Sequence, residues 1–152
     1  MPTTSALNTL IELAQTHTDD AARHLGRLNM KNKDLQAKLD LLLQYGDEYR
    51  MRFERLMQQG IAASDWRNYW EFLDKLDAAI SEQRELLALM NQRLKAGQAT
   101  FQTARRTLTS YDTLAQRQRR AEQSRAAKAE QKQTDEHVNN LAARQVQPSI
   151  ND

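Results

Sequence analysis

The sequence predicts an all-α protein, a long antiparallel two-helix coiled-coil hairpin. Three observations predict it: a helix-forming composition, two long heptad series separated by a short break, and the point where the second series stops. Of 152 residues, 39% are hydrophobic and 28% charged, with only 4 Gly and 2 Pro. Leu, Ala, Gln and Arg dominate and Val and Ile are sparse, which suits helix and lacks the β-branched content of a sheet. So low an apolar share excludes a large globular core and fits long helices that each bury one narrow stripe.

The first series alternates steps of four and three: Leu7, Ile11, Ala14, Thr18, Ala21, Leu25, Leu28, Asn32, Leu35, Leu39, Leu42, Gly46, Tyr49, Phe53, Leu56. With Leu7 at d and Ile11 at a, this is a heptad seam, and its 3.5-residue period implies a left-handed supercoil. Thr18, Asn32 and Gly46 are its polar or weak positions. Asn32 at a either sets the register or marks a locally wet stretch of seam.

The break is QGIAASD, residues 59–65. Gly60 suits the left-handed conformation that ends a helix, and Ser64 or Asp65 is expected to cap the next one. The second series then runs Trp66, Tyr69, Leu73, Leu76, Ile80, Gln83, Leu87, Met90, Leu94, Gly97, Phe101, Ala104, Leu108, Tyr111, Ala115. In a hairpin turning near Ala62, facing residues have numbers summing to about 124. Leu7 then mirrors a position just past Ala115, where the phase turns polar at Gln118, Glu122 and Arg125. That coincidence favours a chain folded back on itself over an extended rod. The expected layout is a hairpin over 1–142, with helix one at about 4–58, the turn at about 59–64 and helix two at about 65–138. The paired arms would be about 75–80 Å long. From about 117 helix two overhangs as a single helix that keeps good propensity without an apolar face, and 143–152 are expected to be disordered.

The formal net charge of +2 does not require a nucleic-acid partner. There is no cysteine, so thiolate sites are excluded and a reducing compartment is allowed. No signal peptide or membrane-spanning run is recognisable. His17 and His24 share a heptad position but stand about 10 Å apart along a helix, and Asp19 and Asp20 point in different directions. No catalytic, metal or cofactor motif is found, and a hairpin offers no deep pocket, so a non-enzyme without cofactors is expected.

Two surfaces stand out. A two-stranded coil needs only a and d to be apolar, yet g positions Tyr45, Phe72, Ala79 and Leu86 are apolar too. Beside Leu42, Tyr49 and Leu76 they widen the stripe on one flank in the half nearest the turn, whereas the e flank becomes polar at Asp77, Arg84 and Asn91. Trp66, Tyr69 and Trp70 are read as closing the hairpin end. Tyr45, Phe72 and Ala79 exceed what the seam needs and read as a protein interface. The second surface is the overhang, where Arg117, Arg119, Arg120, Arg125, Lys128 and Lys132 face only Glu122 and Glu130. It reads as a solvated helix, a site for an acidic protein, or a nucleic-acid contact.

ALNTLIELA near the start, DDAARHLG at 19–26, LLLQYGDEYR at 41–50 and GIAASDWRNYWEFLDKLDAAI at 60–80 together resemble the FliJ family of flagellar type III export proteins. The resemblance implies an antiparallel coiled coil similar to the stalk of the rotary ATPase γ subunit. It implies a cytoplasmic coupling protein associated with the inner-membrane export apparatus. Such a protein binds the hexameric export ATPase, promotes ATPase assembly and export, binds the cytoplasmic domain of the export gate and escorts export chaperones. The family's gate surface carries over as Leu42, Tyr45, Tyr49, Phe72, Leu76 and Ala79, with Lys38 and Gln83 at the edges. The ATPase-binding end, far from the turn, would use Arg23, Arg117, Arg119, Arg120 and Arg125. The alternatives are an equivalent stalk of a non-flagellar secretion system and a basic nucleic-acid-binding coiled coil.

Overall fold

The computed structural model describes residues 4–146. Two helices account for nearly all of them: α1, Thr4–Gln59, and α2, Ala63–Val146. No strand occurs among the described residues. The helices pack against each other as an antiparallel coiled-coil hairpin. The chain divides into two compact units, Gln15–Arg105 and Met1–Ala14 with Arg106–Asp152.

In the Gln15–Arg105 unit the heptad phase predicts burial closely. Thr18, Leu28, Leu39, Gly46 and Phe53 are buried, and Ala21, Leu25, Asn32, Leu35, Leu42 and Tyr49 are half-buried. On α2, Tyr69, Leu73, Leu76, Ile80, Leu87, Met90 and Gly97 are buried. Leu39, Leu76, Ile80 and Leu87 form one apolar cluster, joined by Leu35 and Leu42. Phe53, Tyr69 and Leu73 form a second near the turn, joined by Tyr49 and Ile61. Each side chain moved from water to such a cluster contributes about 1.5–3 kcal/mol when fully buried.

The polar seam positions are matched across the hairpin. The Asn32 carboxamide donates to Asn91 Oδ1 at 2.9 Å, and the Gln83 carboxamide donates to the Leu35 carbonyl at 2.9 Å. A slipped register would break both bonds, at a cost for the part-buried Gln83 carboxamide and little for the exposed Asn32–Asn91 bond, which still fits the register-setting reading. The two seam glycines admit close approach. A Cβ on Gly46 would meet Leu76 Cδ2 at 3.2 Å, and one on Gly97 would meet Leu28 Cδ1 at 3.1 Å.

The turn is tight. Gly60 has φ of 83° and its N–H donates to the Met57 carbonyl at 3.2 Å, which satisfies the end of α1. The Ala62 carbonyl accepts from Asp65 N–H at 3.1 Å and Trp66 N–H at 3.2 Å. Helix two therefore starts at Ala63, and Ser64 and Asp65 lie inside its first turn instead of capping it. Asp65 still complements the positive end of the helix dipole there. Leu56 and Trp66, the seam positions nearest the turn, are 46% and 40% exposed.

In the other unit, Leu7, Ala14 and Ala115 are buried and Ile11, Leu108, Tyr111 and Gln118 half-buried. From Arg119 to Val146 every residue is exposed, yet the helix continues unbroken. It runs past the expected end near 138 and through the first residues of the segment expected to be disordered. The rest of that segment, 147–152, lies outside the described residues. Ala, Gln, Arg, Lys and Glu sustain this stretch by propensity without a packed face.

Candidate functional site

The first candidate surface lies in the Gln15–Arg105 unit, on the g flank near the turn. Its six residues are not equivalent. Leu76 is buried, and Leu42, Tyr49 and Ala79 are half-buried. Tyr45 and Phe72 are 54% and 41% exposed. The surface is therefore a floor of seam residues with two rings offered to solvent. Phe72 is not idle within the hairpin, because its ring lies 4.2 Å from that of Tyr49, tilted by 39°. Tyr49 stacks on Tyr69 at 5.4 Å, and Tyr69 stacks on Phe53 at 3.4 Å. An aromatic column thus runs from the flank into the tip. Trp66 and Trp70, read as tip seals, stand outside it with ring contacts at 5.4–5.8 Å, while buried Tyr69 makes the seal itself. Burial raises the Tyr69 phenol above its ordinary value, a shift partly offset by the Arg50 charge.

The e flank differs in chemistry. Arg50 bridges Asp77 of α2 and Asp47 of its own helix, both at 3.7 Å. These pairs are largely exposed and contribute little to stability, but they keep that flank wet and charged. The apolar flank also extends beyond the residues the sequence singled out. Leu41 is 49% exposed and joins Leu86, the g residue already noted, which is 45% exposed. Leu41 sits at c, outside the a, d and g positions that heptad reasoning inspects. At the rim, Lys38 is exposed, whereas Gln83 is half-buried with its carboxamide committed to Leu35.

At the tip a recess of about 420 Å³ is walled by Tyr49, Phe53, Leu56, Ile61 and Tyr69 and rimmed by Arg52, Asp65 and Asn68. Ile61 was the missed signal, one apolar residue inside a turn of small ones.

The second candidate surface is the exposed part of α2. Arg117, Arg119, Arg120 and Arg125 are all exposed, and none has an ion-pair partner among the described residues. Arg23 belongs to the Gln15–Arg105 unit and pairs with Asp20 at 3.5 Å, with both side chains largely exposed. Among the described residues no three His, Cys, Asp or Glu side chains gather as a metal site would need, and no helix is long and apolar enough to cross a membrane.

The sequence model of the family described as "Flagellar FliJ protein" matches residues 3–147. A curated "Flagellar FliJ protein" of Salmonella typhi is 32% identical over 139 residues, covering 91% of this chain and 95% of that protein. The "Flagellar FliJ protein" of Escherichia coli (strain K12) is 31% identical with the same coverage.

Proposed function

The chain belongs to the flagellar FliJ family, and on that footing we propose that it is a stalk-like coupling component of the flagellar export apparatus. In this reading the g flank near the turn docks on the cytoplasmic domain of the export gate. The exposed end of α2 engages the hexameric export ATPase and promotes its assembly, and Arg23 is a separate candidate contact for the same partner. Export chaperones are escorted by the same protein, which works on the cytoplasmic face of the inner membrane. Its role is to connect partners, not to catalyse.

The observation that carries the reading is the exposure of Tyr45 and Phe72 beside a seam that Leu73 and Leu76 already fill. Desolvating two exposed rings on a rigid support is an efficient source of binding free energy. Titrating the cytoplasmic domain of the gate with the wild-type chain and the Tyr45→Ala variant tests it. A loss of about tenfold in affinity is expected, the scale of a hot-spot truncation. Unchanged affinity would refute the gate surface. The flagellar names of both relatives favour this system over the equivalent stalk of a non-flagellar one.

A further inference from the structure

From Arg117, next to its last half-buried residue Gln118, α2 is charged unevenly around its axis. Successive residues of an α-helix are rotated by about 100°, so Arg117, Arg120, Lys128 and Lys132, with Arg125 at the edge, share an arc of about 140°. Between 117 and 132 no carboxylate falls on that arc. Glu122 and Glu130 project from the other side, and so does Arg119. The buried Ala115 and half-buried Leu108 point nearly opposite to the arc's centre. The five basic side chains are exposed and lack ion-pair partners among the described residues. They form a stripe about 22 Å long.

The composition of the stripe restricts what it can meet. Between the cations lie Ala121, Ser124 and Gln131, with no bulky apolar group to enter a bilayer. No Phe, Tyr or Trp lies in 117–146 to stack on a base. What remains is a run of guanidinium and ammonium donors at helical spacing, which suits carboxylates fixed on a folded surface.

We infer that Arg117, Arg120, Arg125, Lys128 and Lys132 form a one-sided docking stripe for an acidic protein surface, and that Arg119, which the family resemblance places at the ATPase-binding end, is not part of it. This rests on the proposed ATPase contact and sharpens it.

The test compares Arg120→Glu with Arg119→Glu in the full chain. These neighbours undergo the same charge change at the same helix propensity, so helicity by circular dichroism should be equal. Binding to the export ATPase should weaken about tenfold for Arg120→Glu and less than about twofold for Arg119→Glu, with the gap shrinking at high salt. Arg120→Gln should fall between wild type and Arg120→Glu. Equal losses for Arg119→Glu and Arg120→Glu would overturn the one-sided stripe and leave the ATPase contact standing. Unchanged binding for both, and for Arg117→Glu combined with Arg120→Glu and Lys128→Glu, would overturn the ATPase contact itself. Duplex DNA or anionic vesicles bound more tightly than the ATPase, and released by Arg120→Glu, would overturn the assignment to a protein surface.

Discussion

The ring of Phe72 packs 4.2 Å from that of Tyr49, yet 41% of the Phe72 surface stays open to solvent. It therefore serves two ends at once. Phe72→Ala should cost about 1 kcal/mol of stability through the lost ring contact and about tenfold in gate affinity. Tyr45 is 54% exposed and makes no ring contact among the described residues, so it separates the two effects. Tyr45→Ala should lose under about 0.5 kcal/mol of stability with a similar loss of affinity. Arg93→Ala, at g farther from the turn, is the control and should change neither. Thermal melting by circular dichroism beside gate titration decides the matter.

Gly60 and Gly26 should respond with opposite sign to the same substitution. Gly60 holds φ of 83°, so Gly60→Ala should destabilise the hairpin by about 1 kcal/mol. Gly26 lies within α1 and nothing approaches within 4 Å of a Cβ built there, so Gly26→Ala should stabilise by about 0.5–1 kcal/mol. Urea unfolding midpoints measure both.

Tyr69 gives the hairpin tip an alkaline limit. Burial raises its pKa in the folded state, so the fold prefers the neutral phenol. That stability is fully present below the unfolded value near 10 and is lost as pH rises through the higher folded value. Melting temperature should fall over about pH 9–12, and Tyr69→Phe should flatten that part of the profile. An unchanged profile in the variant would assign the alkaline loss to another group.

Asn32 should trade stability for register. Asn32→Leu removes the bond to Asn91 and adds apolar area at an a position, so the melting temperature should rise. Spin labels on Lys33 and Lys95 should give one narrow intramolecular distance in the wild type and a broader distribution in Asn32→Leu. A long distance in the dilute wild-type chain would rule out an intramolecular hairpin. An equally narrow distribution in the variant would show that the Asn pair sets nothing.

The seam was legible because a heptad phase is a statement about burial. From Ala14 to Phe53 every predicted position is buried or half-buried. The start of α2 was not, because Ser64 and Asp65 are good caps by type, yet the backbone at Ala62 had already supplied the first acceptor. α2 runs on to Val146 because helix propensity persists past the point where a helix without a packed face is expected to fray. Of the candidate surface, the g residues were readable from their phase. The contact between Phe72 and Tyr49 was not, since it depends on how far two rings lean across the groove. The charge arc was readable throughout, but a count of arginines does not reveal it and an angle does.

Gly46 on one helix receives Leu76 of the other, and Gly97 receives Leu28. Each helix thus carries one notch and one tooth, cut at different distances from the turn. Sliding by a heptad in one direction would set Gly46 against Gln83 and Gly97 against Leu35. Sliding the other way would set Gly46 against Tyr69 and Gly97 against Ala21. Neither setting fills both notches with leucine. The arrangement works as a vernier, since two small marks that agree at one setting fix it more finely than either alone. Any partner reading Tyr45 against Phe72 therefore meets rings held at one calibrated offset.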